Sequence, residues 1–119
     1  MAKLQFNVPE FFSGKTVDLT VLCTDDDGTA LAPDQPPFLD VISIDTEVSA
    51  HQSYLDNFQG LDYLFKKSFN VDDRFVQGKK YAFVIRGIFS TVEIVSVFNS
   101  LFVDETRLIY LYNKETRNA

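Results

Sequence analysis

One cysteine, one histidine and no tryptophan occur in the 119 residues of this chain. A single cysteine excludes an internal disulfide, so the core has to hold the fold. A chain of this size buries roughly two thirds of its unfolded surface, which suffices for one domain without a staple or a metal. Cys23 sits in the β-branched run Thr16–Thr24 and alternates with Val17, Leu19 and Val21. That pattern reads as a buried structural thiol acting as a small hydrophobe. A nucleophilic thiol needs a base beside it, and the sole imidazole, His51, lies in a separate polar stretch. One histidine supplies neither a zinc-type spacing nor a Ser-His-Asp set, and no Gly-rich phosphate loop is present. The expectation is a protein that is not an enzyme and takes no cofactor.

Long apolar runs are missing too. The most apolar stretch, residues 88–103, is interrupted by Ser90, Glu93, Ser96, Asn99 and Ser100, so no membrane-spanning helix is expected. Residues 1–9 lack the apolar centre of an export leader, which leads to the expectation of a chain synthesised in the cytoplasm. Basic residues are scarce: the net charge is −6, which argues against nucleic acid as a partner. The imbalance is uneven. Residues 16–65 carry ten acids and no Lys or Arg, whereas residues 66–119 carry nine bases and six acids. Two readings stand: one acidic and one weakly basic side suited to ordered association, or an asymmetry that disappears once the strands are dealt onto two sheets.

What the chain has in excess is phenylalanine and tyrosine, twelve and five, residues that suit the half-buried surface of a strand. Turn signals recur at short intervals: Phe12-Ser13-Gly14-Lys15, Asp25-Asp26-Asp27-Gly28, the Pro-rich link 32–37, Asp56-Asn57-Phe58-Gln59-Gly60, Asn70-Val71-Asp72-Asp73 and Gln77-Gly78-Lys79. Between them the apolar residues alternate. Val17, Leu19, Val21 and Cys23 share one face; Leu61, Tyr63, Phe65 and Phe69 share another, interrupted by Lys67. In residues 80–87, Tyr81, Phe83 and Ile85 alternate with Ala82, Val84 and Arg86. In residues 91–103, Val92, Ile94, Phe98 and Phe102 lie opposite Val95, Val97 and Leu101. Residues 38–45 are apolar on both sides of the alternation, through Val41, Ile42 and Ile44. Several short strands at near-regular spacing predict an all-β antiparallel sandwich. In residues 49–58 the spacing of His51, Tyr54, Leu55 and Phe58 fits a short helix or a long loop.

Three further features bear on function. Asp25-Asp26-Asp27-Gly28 has the acidity of a calcium loop but not its closing bidentate Glu, and reads as hairpin punctuation. Lys66-Lys67 and Lys79-Lys80 read as guards of a sheet edge, and Asp72-Asp73 as a solvated turn. Residues 107–114 are apolar on both faces, with Leu108, Tyr110 and Tyr112 opposite Ile109 and Leu111. A strand of that kind is stable only when both faces are covered, so these five residues are the candidate partner-binding set. The organisation read from the chain is a sandwich over residues 1–103 and an extension, extra strand or assembly arm, over 104–119.

Two motifs carry a resemblance. Gly14-Lys15-Thr16-Val17 opens the first long strand, and Gly78-Lys79-Lys80-Tyr81 opens the penultimate one. Over residues 11–103 the chain resembles the immunoglobulin-like domains of tailed-bacteriophage virion proteins, without the cysteine pair and core tryptophan of antibody domains. The resemblance implies an immunoglobulin-like sandwich of about seven strands plus a C-terminal strand or arm, with structural roles for Tyr81, as a tyrosine corner, and for Gly78. It further implies a virion protein of the head decoration, cement or head-tail accessory kind, bound to other virion proteins and possibly to itself. A carbohydrate-binding or adhesion module is the alternative, which requires an exposed tyrosine cluster, as is a generic protein-interaction domain.

Overall fold

The computed structural model describes residues 2–7, 16–76 and 78–101. The described residues form eight strands: β1 (Lys3–Asn7), β2 (Thr16–Thr24), β3 (Phe38–Ser43), β4 (Ser49–Tyr54), β5 (Asp56–Phe58), β6 (Leu61–Asn70), β7 (Lys80–Phe89) and β8 (Val92–Leu101). They build two four-stranded sheets, in the orders β1-β2-β6-β5 and β4-β3-β7-β8, with every pairing antiparallel. This is the immunoglobulin arrangement, strands A-B-E-D against C-F-G with one strand added beside C.

The core is the set of inward positions that the alternation picks out. From the first sheet, Leu4, Val17, Leu19, Val21, Cys23, Phe65 and Phe69 are buried; from the second, Leu39, Val41, Tyr81, Phe83, Ile85 and Phe89. The sheets meet through aromatic contacts: the Phe69 ring centroid lies 5.9 Å from that of Phe75 and 6.2 Å from that of Phe83. Gly87, mid-strand in β7, leaves the room that Leu4 of the opposite sheet occupies, since a Cβ there would stand 3.1 Å from the Leu4 side chain.

Residues 49–58 form neither a helix nor a loop. They are two strands, one in each sheet, joined at Leu55. Leu55 is buried and its N–H donates to the Pro37 carbonyl at 2.8 Å, which anchors the chain as it crosses between the sheets. β4 carries a bulge, because the register with β3 passes from Val41↔His51 to Ile42↔Ser49 and leaves Ala50 unpaired.

The acidic turn after β2 is closed by its own first residue: the Asp25 carboxylate accepts from the N–H groups of Asp27 and Thr29 at 2.9 and 3.0 Å. The β7–β8 hairpin turns through Ser90 and Thr91, both at positive φ (49° and 69°), the requirement of a two-residue type I′ turn. Neither residue favours that conformation. The Asp34 carboxylate, delivered by the Pro-rich link, accepts from both their N–H groups at 3.0 and 2.9 Å and holds the turn.

Candidate functional site

The outer faces of the two sheets differ, and the difference locates the candidate site. On the first sheet the outward positions of β2 and β6 are mostly polar: Asp18 accepts a hydrogen bond from Ser68, Thr16 donates to Asn70 at 3.0 Å, and Thr20 stands opposite Lys66. On the second sheet the register lines up apolar residues in rows. One row runs Tyr54, Phe38, Arg86, Val95 and the next Gln52, Asp40, Val84, Val97. Tyr54, Val95 and Val97 are 57%, 46% and 59% exposed, apolar side chains left in water at the two edges of this face with Arg86 between them.

The face carries one ion pair and one hydrogen-bonded carboxylate. Arg86 lies 3.7 Å from Glu93, and Asp40 accepts from the Ser49 hydroxyl at 2.8 Å. Tyr54 packs edge-on against Phe38 with ring centroids 5.1 Å apart, which props its ring on the surface. The arrangement is a sheet face with exposed apolar side chains on an acidic molecule.

The residues singled out in the sequence fall elsewhere. Leu108, Ile109, Tyr110, Leu111 and Tyr112 lie outside the described residues, as do residues 104–119 as a whole and Gly14 and Lys15 of the first motif. Tyr81 is buried near the start of β7, and its hydroxyl accepts from the Val76 N–H at 2.5 Å, five residues upstream. This is the geometry of a tyrosine corner. Gly78, at φ 77°, lies in the same corner, where a residue with a Cβ is strained. Cys23 is buried and free, and burial pushes its thiol up to about 12, far from a nucleophilic range. Tyr54 and Tyr63 sit on different sheets, so they do not combine into one platform.

His51, in β4, stacks on Phe69 with centroids 4.6 Å apart, and its Nε2 shares a hydrogen bond with the Ser53 hydroxyl at 2.9 Å. Burial, with help from the positive charges of Arg74 and Lys67, holds it below the ordinary imidazole value of 6.5; nearby Asp72 opposes the shift. The unfolded chain therefore binds the proton first as pH falls, and stability declines from neutral pH through 6.5 towards the folded-state value. Melting temperatures recorded between about pH 7.5 and 5.5 should fall with pH, and the slope should flatten in His51→Phe, which keeps the aromatic stack.

The charge split along the sequence is partly undone in space. Lys67 pairs with Asp56 at 3.5 Å and Lys79 with Asp45 at 3.1 Å, each joining a base from the second half to an acid from the first. Lys79 and Arg74 both line a cavity of about 200 Å³ at the Tyr81 end of the sandwich. Arg74 is held by Asp72 at 2.8 Å, so both cations there already have carboxylate partners. The 66–67 pair is not at an edge, since β6 lies between β2 and β5. Among the described residues no group of three His, Cys, Asp or Glu is placed to hold a metal ion.

The outer apolar face went unrecognised in the sequence as a site, although its signal was present. Residues 91–103 are apolar on both sides of the alternation, the same criterion that singled out Leu108 to Tyr112.

No protein-family model matches this chain, and no curated protein matches it. Among solved structures, a conjugative transposon lipoprotein from Bacteroides eggerthii DSM 20697 is similar at 12% sequence identity and a TM-score of 0.41, over 83% of this chain and 93% of that one. A likeness at that level carries no inference about function.

Proposed function

We propose that this chain is a non-enzymatic structural subunit of a tailed-phage virion, a head decoration, cement or head-tail accessory protein that binds other virion proteins. The observation that carries the reading is the exposed apolar face on β3, β4, β7 and β8, where Tyr54, Val95 and Val97 stand in register on an acidic sandwich of net charge −6. Such a face meets a partner by excluding water, and its Arg86–Glu93 pair adds no net charge there. The resemblance of the Gly14–Val17 and Gly78–Tyr81 motifs to virion immunoglobulin-like domains supplies the partner class. In this reading Leu108 to Tyr112 form a second contact, as an assembly arm.

The test is particle composition. Particles of the phage or induced prophage that encodes the chain are purified on a density gradient and their proteins quantified by mass spectrometry. The chain is expected at a stoichiometric copy number, and a version ending at Val103 is expected to be depleted from the particles while remaining folded. Absence of the full chain from purified particles overturns the reading.

A further inference from the structure

We propose that the free edge of β8 is a strand-addition site whose occupant is β8 of a second copy of this chain, antiparallel about a two-fold axis at Ser96. The inference rests on the edge geometry and stands independently of the virion reading.

Among the described residues the two sheets have four edge strands, β1, β5, β4 and β8. Three of them are poor templates. β1 has five residues and begins with Lys3; β5 has three and a shifted register; β4 carries a bulge. Short length, lysine and bulges are the means by which sheets prevent edge-to-edge pairing. β8 has none of them. It runs ten residues, Val92–Leu101, pairs with β7 in ten consecutive positions without a break, and contains neither Pro nor Lys. Among the described residues no strand pairs with its second edge.

The hairpin determines which backbone groups face that edge. A two-residue type I′ turn closes on a hydrogen-bonded pair, here Phe89 and Val92. Bonding then alternates, so the even positions of β8 spend their N–H and C=O groups on β7 and the odd positions 93, 95, 97 and 99 direct theirs outward. The outward groups of positions 95 and 97 thus belong to the exposed residues Val95 and Val97.

The strand is self-complementary when read antiparallel about Ser96. Val95 falls opposite Val97 of the second copy, Ile94 opposite Phe98 of the second copy, and Glu93 opposite Asn99 of the second copy rather than another Glu93. Every β-branched residue from 94 to 97 therefore meets a β-branched or aromatic partner across the axis. Charge points the same way. Two chains of net charge −6 repel, yet the only charged side chain of β8, Glu93, is paired with Arg86 of its own sheet, so the axis brings no like charges together. Strand addition there joins two four-stranded sheets into one of eight and makes their apolar outer faces continuous. β1 does not occupy the site: its Phe6 packs edge-on against Phe98 from the opposite sheet, 6.1 Å between centroids.

The experiment is sedimentation velocity on the full chain from low micromolar to a few hundred micromolar, with circular dichroism and a thermal melt on every variant. The parent is expected to dimerise. Val97→Pro removes an N–H that faces the free edge and leaves the β7 ladder intact, so it should abolish the dimer and shift the melting temperature little. Should Val97→Pro fail to fold, the double variant Val95→Lys with Val97→Lys decides, since it retains the backbone and sets lysines facing one another. Loss of the dimer in a folded variant sustains the proposal. A monomeric parent, as expected if residues 102–119 or another protein take the edge, overturns it, and so does a dimer that survives in a folded variant.

Discussion

Phe83→Ala should lower the free energy of unfolding by about 3–5 kcal/mol, the range for truncating a fully buried phenylalanine. Phe83 is completely buried in β7, between Val41 of β3 and Phe98 of β8 in register, and its ring faces Phe69 of the other sheet. It therefore joins the sheets as well as filling the core. Its neighbours are strand residues held by ladders on both sides, which limits how far they collapse into the space left by the ring. A domain of this size has about 5–15 kcal/mol in total, so the variant sits near the limit of folding at ambient temperature. Urea denaturation reads the effect as a lower midpoint at an unchanged slope. Val97→Ala, on the exposed outer face of the adjacent strand, is the control and should change the stability of the monomer by less than about 0.5 kcal/mol. Comparable losses in the two variants would contradict the placement of the core.

Tyr81→Phe is the second large effect and isolates a single oxygen. The phenylalanine retains the edge contact with Phe75, at 5.1 Å between centroids, and removes only the hydroxyl that accepts from the Val76 N–H. Leaving a partly buried N–H without that acceptor costs about 1–3 kcal/mol. The consequence is also local. The segment between β6 and β7 contains Val71 and Phe75, both buried, and the hydroxyl ties its far end to the first turn of β7. Hydrogen exchange at the Val76 amide should accelerate in Tyr81→Phe more than exchange at the mid-strand amides of β7. A uniform acceleration, or none, would show that the hydroxyl does not pin this corner.

The legibility of the fold varied from strand to strand for physical reasons. β2 was readable to the residue because it is buried on one face only, so Val17, Leu19, Val21 and Cys23 alternate with largely polar neighbours. β7 was readable in its inward set, Tyr81, Phe83 and Ile85, but extends two residues past the expected span of 80–87. Its tolerance of Gly87 comes from Leu4, which fills the space beside that residue from across the sandwich. The helical spacing of His51, Tyr54, Leu55 and Phe58 misled for a specific reason. The chain changes sheets at Leu55, and the bulge at Ala50 slips the period once more, so two short strands mimic a repeat of three and four. The Asp34 clamp on the Ser90–Thr91 turn joins residues more than fifty positions apart and left no mark on the local pattern.

By itself the sequence determined the class of the protein and the inward side of most strands. Period-two hydrophobicity, turn residues and a lone buried thiol are local properties, and burial of one face enforces them residue by residue. Tertiary structure alone decided which strands are neighbours, that the sheet of β3, β4, β7 and β8 carries the exposed apolar side chains on its outer face, and that β8 is the last strand of that sheet among the described residues. The physical reason is that strand pairing is made by backbone N–H and C=O groups, which are the same in every residue. Alternation says on which side of its strand a side chain lies, and only the assembled sheets say what stands on that side.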